Sequence, residues 1–96
     1  MSPLLTLDEV RGLMARGARV VDVRSEAEFA SGHAPGSLNL PMHLVPRVDA
    51  PTLPRDRPLI LCCQSGARSA MAALFLARQG YEVHDLGPWT RLPDPA

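Results

Sequence analysis

Two short aliphatic runs, Ala18 to Val23 (ARVVDV) and Pro58 to Cys62 (PLILC), constrain what this chain can fold into more than any other feature. Neither alternates apolar with polar residues, which is the pattern of strands buried on both faces, and such strands belong to parallel sheets covered by helices. Each run leads into a helix-start signal. Ser25-Glu26-Ala27-Glu28 has the spacing of a capping box after the first, and Gly66-Ala67 opens a helical stretch to Gln79 after the second.

The remaining segments fit the same alternation. Thr6-Leu7-Asp8-Glu9 is another capping box, opening a helix with Leu7, Val10, Leu13 and Met14 on one face and Gly17 at its end. Leu4-Leu5 and Ser37 to Leu40 read as short strands, and Gly32-His33-Ala34-Pro35-Gly36 as a turn. Prolines at 41, 46, 51, 54 and 58 limit that region to a one- or two-turn helix around Met42 to Val45. In the Ala67 to Gln79 helix, Ala70, Met71, Leu74 and Ala77 are the expected inner face, with Gly80 as C-terminal cap. Tyr81 to Leu86 is the last strand, and GPWTRLPDPA holds too much proline for a long final helix. The expectation is one α/β domain over residues 1–96 with a mostly parallel sheet.

Composition narrows function by exclusion. Hydrophobic residues are 46% of the chain and aromatics 4%, so the core is aliphatic. Ten basic residues balance ten acidic ones, leaving no net field for nucleic acid or an anionic membrane. Every basic residue is arginine, which removes Schiff-base and Walker-type lysines. The adjacent Cys62 and Cys63 cannot staple distant segments, and with three scattered histidines they match no metal-ligand spacing. No cofactor motif is present. The N-terminal MSPLLTLDEV is neither a signal peptide nor a membrane span, so the cytoplasm is the expected location.

Ligands of open parallel sheets sit beyond the carboxyl ends of the strands, and Cys63 stands there. Gln64-Ser65-Gly66-Ala67-Arg68 follows, a tight turn whose amides can form an anion nest at a helix N-terminus. A nest of this kind lowers a thiol's pKa and makes it a nucleophile. Arg68 supplies a planar fork for an anion. The pairing from Cys62 to Arg68 has the C-x5-R spacing of cysteine phosphatases, but its third residue is Ser65 where glycine is wanted, and Leu61 stands where histidine is wanted. Counted from Cys63, the third residue is Gly66, and the six-residue loop makes a cradle sized for a single sulfur. Cys62 reads as a core thiol pointing away from the mouth. Asp22 and Arg24, at the end of the first run, pair with each other or meet Arg68 at the edge of the site. His33 reads as a residue that fixes its turn, and Trp89 as packing near the mouth.

VVDVRSEAEFASGHAPGSLNLP and LCCQSGARSAMAALFLARQGY resemble the two blocks of the rhodanese-like domain family, of the single-domain sulfurtransferase type. The resemblance is nearly full-length. It departs at Ala34, where the family usually has isoleucine, at Pro88, in place of the second glycine of a Gly-Gly-Trp segment, and at Leu92. It implies a five-stranded, mostly parallel sheet with helices on both faces and Cys63 as a nucleophile cycling through a persulfide. The implied substrates are thiosulfate or a persulfide donor and a thiol or cyanide acceptor, with Arg68, Gln64, Ser65, Gly66, Ala67 and Arg24 around the substrate. Two alternatives stand beside it: a relay passing sulfur to a thiol-bearing protein, and a small cysteine phosphatase or arsenate reductase.

Overall fold

A computed structural model of the 96-residue chain describes residues 5–48, 53 and 55–92. The elements run α1 (Leu7–Ala15), β1 (Arg19–Asp22), α2 (Glu26–Ala30), β2 (Leu38–Asn39), a 3-10 helix (Met42–Arg47), β3 (Leu59–Cys63), α3 (Ala67–Arg78), β4 (Val83–Pro88) and a 3-10 turn (Trp89–Arg91). All strand pairs are parallel, in the order β2-β1-β3-β4. Four strands are present among the described residues where five were expected. Leu4 lies outside them, while the Leu5 amide donates to the Asp85 carbonyl at the free edge of β4, at 3.4 Å. Pro51, Pro54 and residues 93–96 also lie outside.

Both capping boxes form. Thr6 and Glu9 exchange side-chain-to-backbone bonds at the start of α1, and Ser25 and Glu28 do the same at α2. Strand alternation divides the core: Val21, Val23, Leu59, Leu61 and Cys63 pack with Val45, Leu53, Ala72, Leu76 and Tyr81 on one face. Val20, Ile60, Cys62 and Leu86 pack with Leu5, Val10, Leu13 and Ala18 on the other. Every residue of β3 is fully buried, as its unbroken apolar run requires.

The helix faces differ from expectation. On α1 only Val10 and Leu13 are buried, while Leu7 and Met14 are exposed. On α3 the expected face of Ala70, Met71, Leu74 and Ala77 points to solvent, and Ser69, Ala72 and Leu76 are the buried residues. The buried face thus lies roughly 150° around the helix from the expected one, at about 100° per residue, so the two are nearly opposite. The cause lies in the first turn: Ser69 faces Cys63, and the positions three and seven residues later are then committed to the sheet. The last strand also begins two residues later than expected and carries an extra residue. Leu61 pairs with Asp85 but Cys62 pairs with Gly87, so Leu86 forms a bulge beside the end of β3.

Candidate active site

Cys63 is the last residue of β3, and the chain turns through Gln64, Ser65 and Gly66 into α3. The turn favours glycine, because Gly66 has φ +103°, a conformation that side-chain-bearing residues rarely adopt. The Gly66 amide donates to the Cys63 Sγ at 2.9 Å and the Ser69 amide at 3.4 Å. The Ser69 hydroxyl lies within reach of both the sulfur, at 3.6 Å, and the Gly66 carbonyl, at 3.1 Å, and its one proton turns to the sulfur when Cys63 ionises. Burial pushes the Cys63 thiol up, but the bonds from the Ser69 hydroxyl and from the amides of Ser69, Gly66 and Ser65 outweigh it and hold the thiol below its ordinary value. Cys62, one residue away, shows the opposite balance. It sits in the other half of the core without such donors, and burial, aided by the Asp22 charge, pushes it up to about 12.

These shifts predict that only Cys63 reacts with an alkylating agent at neutral pH. In Ser69→Ala, the midpoint of the alkylation profile should move up toward about 8.5. An unmoved midpoint would mean that the amides alone set the thiolate.

A model of the rhodanese-like domain matches residues 6–87. The chain belongs to the rhodanese-like domain family. Among curated relatives, a sulfurtransferase of Allochromatium vinosum is 47% identical over 62 residues, covering 65% of this chain and 57% of that protein. The thiosulfate sulfurtransferase GlpE of Stutzerimonas stutzeri is 38% identical over 80 residues, covering 82% and 72%. The chain thus spans a little over half the length of the first of these relatives. A human single-domain sulfurtransferase has the same fold at TM-score 0.77 and 29% identity, with 95% of each chain covered. A rhodanese-related protein of Thermoplasma volcanium aligns at TM-score 0.76 and 25% identity, covering 98% and 96%.

Within this rhodanese-like domain the two arginines expected near substrate have defined partners. Arg24 is buried, with 3% of its surface exposed. Its Nε and Nη2 donate to the Asp22 carboxylate at 2.8–3.0 Å, and Nη2 also reaches the Gly32 carbonyl at 2.7 Å. Its guanidinium lies 4.9 Å from the centre of the Trp89 ring. Arg24 therefore ties β1 to the Gly32 turn and to Trp89. Of the two readings of Asp22 and Arg24, the pair with each other is the one that forms.

Arg68, on the first turn of α3, donates from Nη1 and Nη2 to Glu28 at 2.6 and 2.9 Å. Glu28 is held down to about 2, first by that bond and then by the Ser25 amide. Sequence reading assigned Glu28 to its capping box and missed this second bond, 40 residues away in the chain. Ser69 was also missed as a cradle residue, although its place two residues into the helix after Gly66-Ala67 carried the signal. Ser65 and Gln64 are exposed, and the Gln64 Oε1 accepts from the Trp89 indole at 3.3 Å. Ala67 is the first residue of α3 and is exposed. His33 bonds the Phe29 carbonyl through Nδ1 at 2.8 Å and stacks on the Phe29 ring, fixing its turn. A cleft beside the cradle is lined by Val23, Ser25, Pro41, Met42, His43 and Arg68 among others. Among the described residues no three His, Cys, Asp or Glu side chains gather as a metal site, and no helix is long and apolar enough to cross a membrane.

Acid should loosen the α2–α3 link. Glu28's carboxyl lies below its ordinary 4.5, so the pair's contribution is complete above about 4.5 and is lost as pH falls toward about 2. Hydrogen exchange at the start of α2 should rise across that window. Exchange that stays flat there would mean that the cap holds α2 without Arg68.

Proposed function

We propose that this rhodanese-like domain is a sulfurtransferase that carries sulfane sulfur on Cys63. The cradle of amides converging on one sulfur supports this reading above all else. The Cys63 thiolate attacks the outer sulfur of thiosulfate or of a donor persulfide. The donor's S–S bond breaks, and sulfite or a thiolate departs with the bonding pair, leaving a Cys63 persulfide. Cyanide or a thiolate then attacks the terminal sulfur, and Cys63 leaves as the thiolate that the amides stabilise. The two displacements balance without an external oxidant. A reducing compartment such as the cytoplasm suits the cycle, because Cys63 must return as a free thiolate.

Intact mass after thiosulfate treatment tests the reading: a stable gain of one sulfur atom is expected, and it should disappear on adding cyanide. No gain with thiosulfate or with any alkyl persulfide would overturn it. The reading as a relay to a protein thiol draws support from one observation. Met71, Leu74 and Phe75 are exposed on α3, the helix whose first turn helps build the cradle. The phosphatase reading draws none, since the cradle closes on a single sulfur and the Arg68 fork is taken by Glu28. Turnover of an aryl phosphate should therefore be negligible.

A further inference from the structure

We infer that Glu28 is a specificity-determining residue: by engaging the Arg68 fork it disfavours dianionic sulfur donors and leaves the site to donors of low charge. The inference rests on the sulfurtransfer reading above. Its basis is the geometry of one ion pair. Both terminal nitrogens of Arg68 meet both oxygens of Glu28, the fork-to-carboxylate match that makes arginine a good anion receptor in the first place. An incoming anion must offer Arg68 more than a carboxylate already seated on it.

Glu28 does not swing freely. It is the third residue of α2, its Oε1 also accepts the Ser25 amide at 3.1 Å, and its own amide donates to the Ser25 hydroxyl at 3.2 Å. The capping box thus holds the carboxylate in place for Arg68. Both side chains are little more than one-third exposed, 38% and 36%, so solvent only partly screens the pair. The other arginine near the mouth, Arg24, is neutralised by Asp22 in the same way. Both arginines are thus paired with a carboxylate, and anion recognition falls mainly to the amides.

That arrangement separates donor classes. Thiosulfate brings two negative charges and gains from a cation only if Arg68 leaves Glu28. An alkyl persulfide brings one ionisable terminal sulfur, which the amides suffice to hold. Arg68 is then a residue whose anion affinity is held in reserve, and Glu28 positions it.

The test is Glu28→Gln, because glutamine serves equally at the third position of a capping box and α2 is kept. At low ionic strength the KM for thiosulfate should fall roughly fivefold while kcat changes little, and the gain should shrink in about 1 M salt. The kcat/KM for an alkyl persulfide with an uncharged tail should stay within about twofold, since that tail has no charge for Arg68 to attract. Glu26→Gln is the comparison: it removes a neighbouring charge on the same turn without freeing the fork. Protection of Cys63 from alkylation by sulfate reports anion binding without turnover, and it should strengthen in Glu28→Gln only. An unchanged or higher KM for thiosulfate, unchanged sulfate protection, or an equal effect in Glu26→Gln would overturn the inference. If the wild type moves sulfur from no donor at all, the sulfurtransfer reading is what fails, and the protection assay still reports whether Glu28 restrains Arg68.

Discussion

Cys63→Ser is expected to lose all sulfur transfer, while Cys62→Ala keeps most of it. Serine fits the cradle and accepts the same amides, but an alkanol cannot carry a transferable sulfur and does not ionise in the working range. The two cysteines are adjacent and equally buried, so exposure cannot tell them apart. The discrimination lies in their partners: Gly66 and Ser69 donate to Cys63, and hydrophobic side chains surround Cys62. Removing the Cys62 sulfur leaves a small cavity against Ile60, Leu86 and Val10, which costs about 1–2 kcal/mol. Turnover of both variants, with their melting temperatures, checks the assignment. An inactive Cys62→Ala that is still folded would put the nucleophile one residue earlier.

Arg24→Met is expected to be strongly destabilising. It leaves the Asp22 carboxylate, wholly buried, without its cation, and a broken buried pair costs about 3–5 kcal/mol. For a domain of this size that lowers the melting temperature by roughly 15–30 °C. The change also frees the Gly32 carbonyl and the face of Trp89, so the wall beside Gln64 loosens along with β1. Adding Asp22→Leu should restore part of the loss, because removing both charges spares the uncompensated one. A double variant no more stable than Arg24→Met would show that the bonds to Gly32 and Trp89, and not the ion pair, hold this corner.

What could be read from the sequence was set by local rules. Thr6-Glu9 and Ser25-Glu28 announced their helices because a capping box is closed within four residues, and β3 announced itself because no polar residue interrupts it. The cradle was legible too, since Cys63, Gly66 and the start of α3 are contiguous. The faces of α1 and α3 were not. An Ala- and Leu-rich helix such as α3 offers several apolar stripes, and the one chosen was fixed by Ser69 turning toward the sulfur, a polar contact that hydrophobic patterning does not weigh. The partners of the arginines were hidden for a different reason: Glu28 and Gly32 reach Arg68 and Arg24 only through the fold. The bulge at Leu86 likewise depends on pairing across the sheet.

The opposite orientation of Cys62 and Cys63 bears on how long a loaded protein can wait. In the proposed cycle the chain's only other thiol is the neighbouring Cys62, whose attack on the inner sulfur would expel hydrosulfide and close a vicinal disulfide. Cys62 faces the other half of the core and, pushed up to about 12, stays protonated at neutral pH. Self-discharge is blocked by direction and by ionisation together. In that proposed cycle the cargo would outlast the interval between donor and acceptor, and the domain would act as a reservoir of sulfur.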